Sequence, residues 1–250
     1  MIFRRLSHEG GGATGIRPAF PIFLELQNLP QAPHAVILQP DHSRLAGEIA
    51  KRLHASVFGD LPAEVLDAIR EHDFGWEMSD RNQLANMRSE PLRPFPQLSP
   101  EETHPSWRES VRRAQESSPL KGVIISRHFC ALASQFPPHF PFAEAENPRR
   151  EQIERELKIP REDLDRWTAA IGFCDIVSLY LCCGAREPAE FSLAHPSLPS
   201  ARQARKVVLE WVQGQPRFTE KIMVPGAAVY ASAWEVPALH TTELEWRFLG

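Results

Sequence analysis

Asp175 is the residue whose setting most needs an explanation. It lies in IGFCDIVSLYLCC (171–183), with apolar residues on every side of a helix. A buried carboxylate without a partner costs several kcal/mol or takes up a proton. A metal, an arginine, a histidine or a hydroxyl network must therefore compensate it. His128 poses the same problem inside GVIISRHFCALA (122–133). His72–Asp73 closes an amphipathic helix and is aimed inward, and His42 lies on the apolar stripe of another. Each residue alone has a plain structural reading. His42 could take part in capping, Asp73 could be a turn residue, and Asp175 could pair with Arg127 or Arg44. The set is more telling, because inward-facing His or Asp groups fall on four separate core helices. Imidazole nitrogen with carboxylate oxygen suits one divalent ion, of the class Fe, Mn, Zn, Co, Ni or Mg. The expected ligands are His42, His72, Asp73, His128 and Asp175.

The chemistry such a centre supports is metal-assisted hydrolysis, with Asp73 and Asp175 as ligands that also serve as bases. Arg44, two residues past His42, and Arg127, beside His128, are the candidates to neutralise an anionic substrate, and each also reads as a solvated surface group. Lys51 and Lys121 are weaker candidates. Trp76 reads as a pocket wall or as core cover, and Ser178 as a hydrogen-bond partner of the helix or of Asp175. The Gly10–Gly12 run has no Lys-Ser/Thr behind it and is no phosphate loop.

Four amphipathic segments must position these groups: 41–56, 61–75, 119–135 and 161–183. On the first, His42, Leu45, Ile49 and Leu53 follow helical spacing, with Asp41 as N-cap. On the third, Ile124, His128, Ala131 and Gln135 share a face. On the last, Leu164, Thr168, Ile171, Asp175 and Ser178 do. The segment 79–118 is polar and proline-rich and reads as an insertion, a lid or wall near the site, carrying one exposed helix at 106–116. A charged, exposed helix is expected at 148–157. Residues 1–18 read as loose, and 20–26 and 35–39 as short strands. Beyond Gly184, alternating patterns at 207–212, 217–224, 227–233 and 239–248 predict strands of one small antiparallel sheet. The expected fold is mainly α, a helical bundle with a small antiparallel β appendage from the C-terminal tail and the N-terminal strands. Its divisions are an N-terminal segment 1–34, a helical core 35–184 and a β-rich extension 185–250 packed on that core. An exposed edge of that sheet would suit pairing into a homodimer.

The order His, His-Asp, Asp on helices resembles the HD superfamily of metal-dependent phosphohydrolases. That resemblance implies an HD-like helical bundle and one or two divalent ions held by His42, His72, Asp73 and Asp175. His128 matches the extra histidine of members with a second metal. It implies hydrolysis of phosphomonoesters, nucleotides or phosphodiesters, so the partner is a small phosphorylated molecule. A closer resemblance, over about 35–185, is to the uncharacterised bacterial domain of unknown function 3891. QPDHSRLAGEIA (39–50), EHDFGWEMSD (71–80), ISRHFCALA (125–133) and DIVSLYLCC (175–183) carry it, and it implies no particular activity.

A formal net charge of -4 argues against nucleic acid as a partner, since no basic footprint exists for a phosphate backbone. No apolar run is long enough to cross a membrane, so no membrane partner is expected, and with no targeting signal the expected location is the cytoplasm. Cys130, Cys174, Cys182 and Cys183 sit in apolar surroundings and lack paired zinc-ribbon spacing, so they read as buried reduced thiols. Two alternatives to an enzyme stand: a non-catalytic scaffold or signalling module with a degenerate metal site, and a structural polar cluster without metal.

Overall fold

The computed structural model describes residues 1–5, 15–30, 32–194 and 204–249. The Gly10–Gly12 run lies outside them. The chain begins with strand β1 (Ile2–Arg4), strand β2 (Arg17–Pro18), helix α1 (Ala19–Gln27), strand β3 (Ala35–Ile37), helix α2 (Gln39–Ala50) and the short α3 (Ala55–Phe58). Helices α4 (Ala63–Glu71), α5 (Glu77–Asn86), α6 (Pro100–Ser117), α7 (Pro119–Ala133), α8 (Phe140–Leu157) and α9 (Arg161–Cys182) follow. Strands β4 (Ala189–Ser192), β5 (Lys206–Val212), β6 (Gln215–Phe218), β7 (Ala228–Glu235) and β8 (Thr241–Arg247) complete it. The protein is mainly α with a β part, as its patterning predicts.

Helix α9 is the axis of the helical body. Its apolar residues cover nearly its whole circumference, which is the pattern of a helix surrounded by others. Ala170, Ile171, Cys174, Val177, Tyr180 and Cys182 are fully buried. Helix α2 packs on α4 and α9, and α7 packs on α4, α6, α8 and α9. The approach of α2 to α4 needs a glycine. A Cβ on Gly47 would lie 2.6 Å from Arg70 Cβ, so any larger residue would push His42 away from the end of α4.

Several elements differ from their sequence reading. Segment 20–26 is helix α1, not a strand. Ala19, Ile22, Phe23, Leu26 and Gln27 bury one face at helical spacing. Strand β1 forms inside a segment that reads as loose, because its partner β3 is more than thirty residues away (Phe3 opposite Val36). The expected exposed helix at 106–116 is longer and half-buried. α6 starts in a capping box formed by Ser99 and Glu102 and seats Trp107, Val111 and Ala114 in the core. The charged helix begins at Phe140 and carries Pro148 inside it. Asp41 is not the cap of α2. It lies in the first turn, and Asp80 Oδ2 accepts from Gln39 N at 2.6 Å instead.

The tail strands do not make one sheet. They divide between two, ordered β1-β3-β7-β8 and β2-β4-β5-β6. Pairing is antiparallel throughout except for β2 with β4, which is parallel. Strand β6 ends at Phe218. The chain then crosses to the connection between α2 and α3, where Met223 bridges Leu53 and Ile222 O accepts from His54 N. Alternation along a strand identifies its buried face but says nothing about which strand it pairs with. No helix among the described residues is long and apolar enough to cross a membrane.

Candidate metal centre

Four helices bring five side chains together. His42 comes from the first turn of α2 and His72 from the residue that ends α4. Asp73 opens the tight turn behind it, while His128 and Asp175 come from the middles of α7 and α9. Exposure is 0% for His42, 1% for His72, 6% for Asp73, 1% for His128 and 8% for Asp175. His42 Nε2 is 2.8 Å from Asp73 Oδ2. His72 Nε2 is 3.7 Å from Asp73 Oδ2 and 3.4 Å from Asp175 Oδ1. His128 Nε2 is 3.5 Å from Asp175 Oδ2. Donors bound about 2.1 Å from one ion stand about 3.0–3.4 Å apart, so these spacings lie within a few tenths of an ångström of what a bound ion requires. Two sets could hold one: His42, His72 and Asp73, and His72, His128 and Asp175.

The hydrogen bonds around the ring fix two of the tautomers. Ser178 Oγ donates its one proton to Asp175 O at 2.8 Å. It therefore accepts from His42 Nδ1–H, 2.9 Å away. Neutral His42 then turns the Nε2 lone pair toward Asp73. Likewise His72 Nδ1–H donates to Ile69 O at 2.8 Å, and its Nε2 has no hydrogen-bond partner although it is buried. Both lone pairs face carboxylate oxygens, so each needs a cation between, either a proton or a metal. An imidazole held through its far nitrogen by a carbonyl or hydroxyl is the arrangement metal-ligating histidines adopt. Among the described residues no lysine or arginine pairs with Asp73 or Asp175. With neutral imidazoles the cluster carries two negative charges, which one divalent ion balances.

Without an ion the proton takes its place. Burial alone would push the His72 imidazolium down. The nearby Asp73 and Asp175 carboxylates and the Ile69 carbonyl outweigh it and raise the pKa to about 9. A folded-state pKa above the unfolded value of about 6.5 stabilises the protein fully below that value, and the gain is lost as pH rises through about 9. The melting temperature of chelator-treated protein should therefore fall between pH 6.5 and 9. A flat or rising profile there would show that His72 does not face these carboxylates.

The other sequence candidates are spent elsewhere. Arg44 bonds Asp41 at 2.6 Å and covers the Phe74 ring. Arg127 donates to Thr168 Oγ1 at 2.8 Å, to Glu154 at 3.1 Å and to Asp165. Neither forms the ion pair with Asp175 that its position on the helix allows. Lys121 pairs with Glu71 at 2.6 Å and Lys51 with Glu48. Trp76 is 1% exposed and belongs to the core. All four cysteines are free and buried, and burial pushes the Cys130 thiol up to about 11, so thiolate chemistry is suppressed.

Sequence reasoning missed a second histidine pair. His104 Nε2 lies 3.0 Å from His139 Nδ1, packed on Trp107 and Phe142. Trp107 stacks on Phe129, the neighbour of His128. No local spacing links residues 104 and 139, so nothing short of the fold could reveal them. It also missed Phe20 and Phe191, which wall a pocket opening on His128 and Asp175. Phe20 was hidden by reading its segment as a strand.

The model of one family, described as "Protein of unknown function (DUF3891)", matches residues 26–221. The chain belongs to this family. The DUF3891 match spans all five clustered residues and all the helices that carry them. No curated protein and no solved structure matches the chain.

Proposed function

We propose that the chain is a divalent-metal-dependent hydrolase of small phosphorylated molecules, with its helices arranged in an HD-like way. The observation that carries this reading is the pair of buried imidazole lone pairs, on His42 and His72, that both face carboxylates. His42, His72 and Asp73, or His72, His128 and Asp175, would hold the ion. Bound there, the ion would acidify a water molecule and withdraw charge from the scissile phosphoryl group. The protein's own groups do the rest. Ser178 and the Ile69 carbonyl fix the two imidazole tautomers, so that both Nε2 atoms face inward. Asp175 is the most exposed of the five, and beside its part in holding the ion it would serve as the base that takes a proton from water. The surrounding helices exclude bulk solvent, which strengthens each charge interaction.

The test is turnover of phosphomonoester and phosphodiester panels with Mn, Co, Ni or Mg, on wild type and Asp73→Ala. Wild-type turnover that depends on the metal and is lost in Asp73→Ala is the expected result. No turnover on any panel removes the hydrolase reading. Ser178→Ala should weaken metal affinity by roughly 10–100-fold, the usual effect of losing an outer partner of a metal-bound histidine. Equilibrium dialysis measures it, and unchanged affinity would mean the hydroxyl does not orient His42.

A second reading has its own support. Arg44 and Arg127 are engaged by acidic partners, so neither of these two stands ready to grip a phosphate. That favours a non-catalytic scaffold with a degenerate metal site. A bound ion with a complete protein shell and no exchangeable water would decide for it.

A further inference from the structure

A pocket of about 200 Å³ runs from the surface to His128 and Asp175. Its apolar walls are Phe20 from α1, Leu132 from the last turn of α7, Phe136 three residues beyond that helix, Ile176 and Leu179 from α9, and Phe191 from β4. The Phe20 and Phe136 rings lie 6.1 Å apart, and Phe136 is 36% exposed at the rim. Among the described residues the charged groups of the lining are Asp175 itself and Glu190, which Lys206 neutralises at 2.7 Å. Gln135 turns its amide nitrogen back to Ala131 O. Among its described residues the pocket therefore offers apolar area and no positive charge. An apolar cavity of about 150 Å³ holds a benzene ring, so this one has room for a single ring or a short alkyl chain. Pockets of this kind take the body of a ligand, while a few polar groups at one end fix its orientation. Here those groups are the two members of the metal cluster.

We propose that this pocket receives the small, uncharged, apolar body of the substrate, and that the substrate's one anionic or metal-binding group reaches the ion at its inner end. This rests on the metal reading above. It narrows the substrate to phosphate esters of a compact apolar group, and it disfavours nucleotides and other polyanions. Their extra charges would meet Asp175 and apolar walls, with no cation among the described residues of the lining to receive them.

The experiment is calorimetric titration of the Mn-loaded full chain with methylphosphonate and with phenylphosphonate. Burying the ring should make phenylphosphonate about tenfold tighter or more. Leu132→Trp fills the pocket and should bring the affinity ratio down to about one while the metal content stays at the wild-type value. Phe136→Asp, at the exposed rim, should lower the ratio in the same direction. Equal affinities in metal-loaded wild type would overturn the proposal and leave the metal reading intact. So would a preference for the phenyl group that survives both substitutions.

If wild type takes up no ion, the metal reading fails, and saturation transfer from the protein to toluene decides the pocket separately. Transfer that Leu132→Trp abolishes would keep it as an apolar binding site. No transfer to toluene would end the pocket proposal as well.

Discussion

Replacing Asp175 by asparagine will leave the protein without bound metal. The carboxylate bridges two histidines, with Oδ1 3.4 Å from His72 Nε2 and Oδ2 3.5 Å from His128 Nε2. Asparagine keeps the shape but removes the charge, and its amide presents a donor to one of those nitrogens instead of an acceptor. The cluster then holds one negative charge against a divalent ion. Affinity should fall by more than the roughly 10–100-fold that follows loss of an outer-shell partner. Elemental analysis after dialysis measures this directly, with His72→Ala as the companion variant. The purely structural alternative makes the opposite prediction. A polar cluster held together by protons would lose stability in both variants, while wild type and variants alike would carry no metal. Metal content in wild type is therefore the measurement on which the two readings part.

Gly75→Ala will unfold the protein at markedly lower denaturant. Gly75 lies in the turn that follows Asp73, pressed against α6. A Cβ there would stand 2.2 Å from Ser106 O and 2.4 Å from Ser110 N. Both are backbone atoms of a helix and cannot swing aside as a side-chain tip can. Gly75 N also donates to Ser110 Oγ at 2.9 Å, which locks the turn in place. Overpacking costs typically 1–3 kcal/mol, and a clash with rigid backbone belongs at the upper end, about 3 kcal/mol. That is a large share of the roughly 5–15 kcal/mol that stabilises a folded domain. Ser110→Ala removes only the hydrogen bond and should cost about 1 kcal/mol. The turn also carries His72 and Asp73, so the folded fraction of Gly75→Ala should bind metal more weakly. Equal denaturation midpoints for Gly75→Ala and wild type would mean that α6 does not press on this turn.

The candidate site was legible because burying charge is costly. Asp175 in an apolar helix, His128 in another and His42 on an apolar stripe each carry a local contradiction that some partner must resolve. Helical periodicity then turned all of them inward. The same periodicity identified α4, α7 and α9 to within about four residues, but it ran α2 on to 56, whereas that helix ends at Ala50 and Leu53 bridges Met223. Cofactor and activity were not legible in this way, because the same five residues could surround a metal, protons or a water network.

Other features depended on contacts distant in sequence. Whether 20–26 would be helix or strand turned on what its apolar residues pack against, and Gln27 bonding to the backbone of Phe3 is part of that answer. Helix α6 seats Trp107 beside Phe129, and its proline-rich approach gives no sign of this. The division of the tail strands between two sheets depended on partners near the N-terminal side, at β1, β2 and β3. Arg44 and Arg127 looked available for a ligand because a sequence does not show which acid a guanidinium will meet. Local hydropathy determines which way a residue faces. Pairing, charge neutralisation and pocket walls are relations between distant segments, and they exist only once the chain has folded.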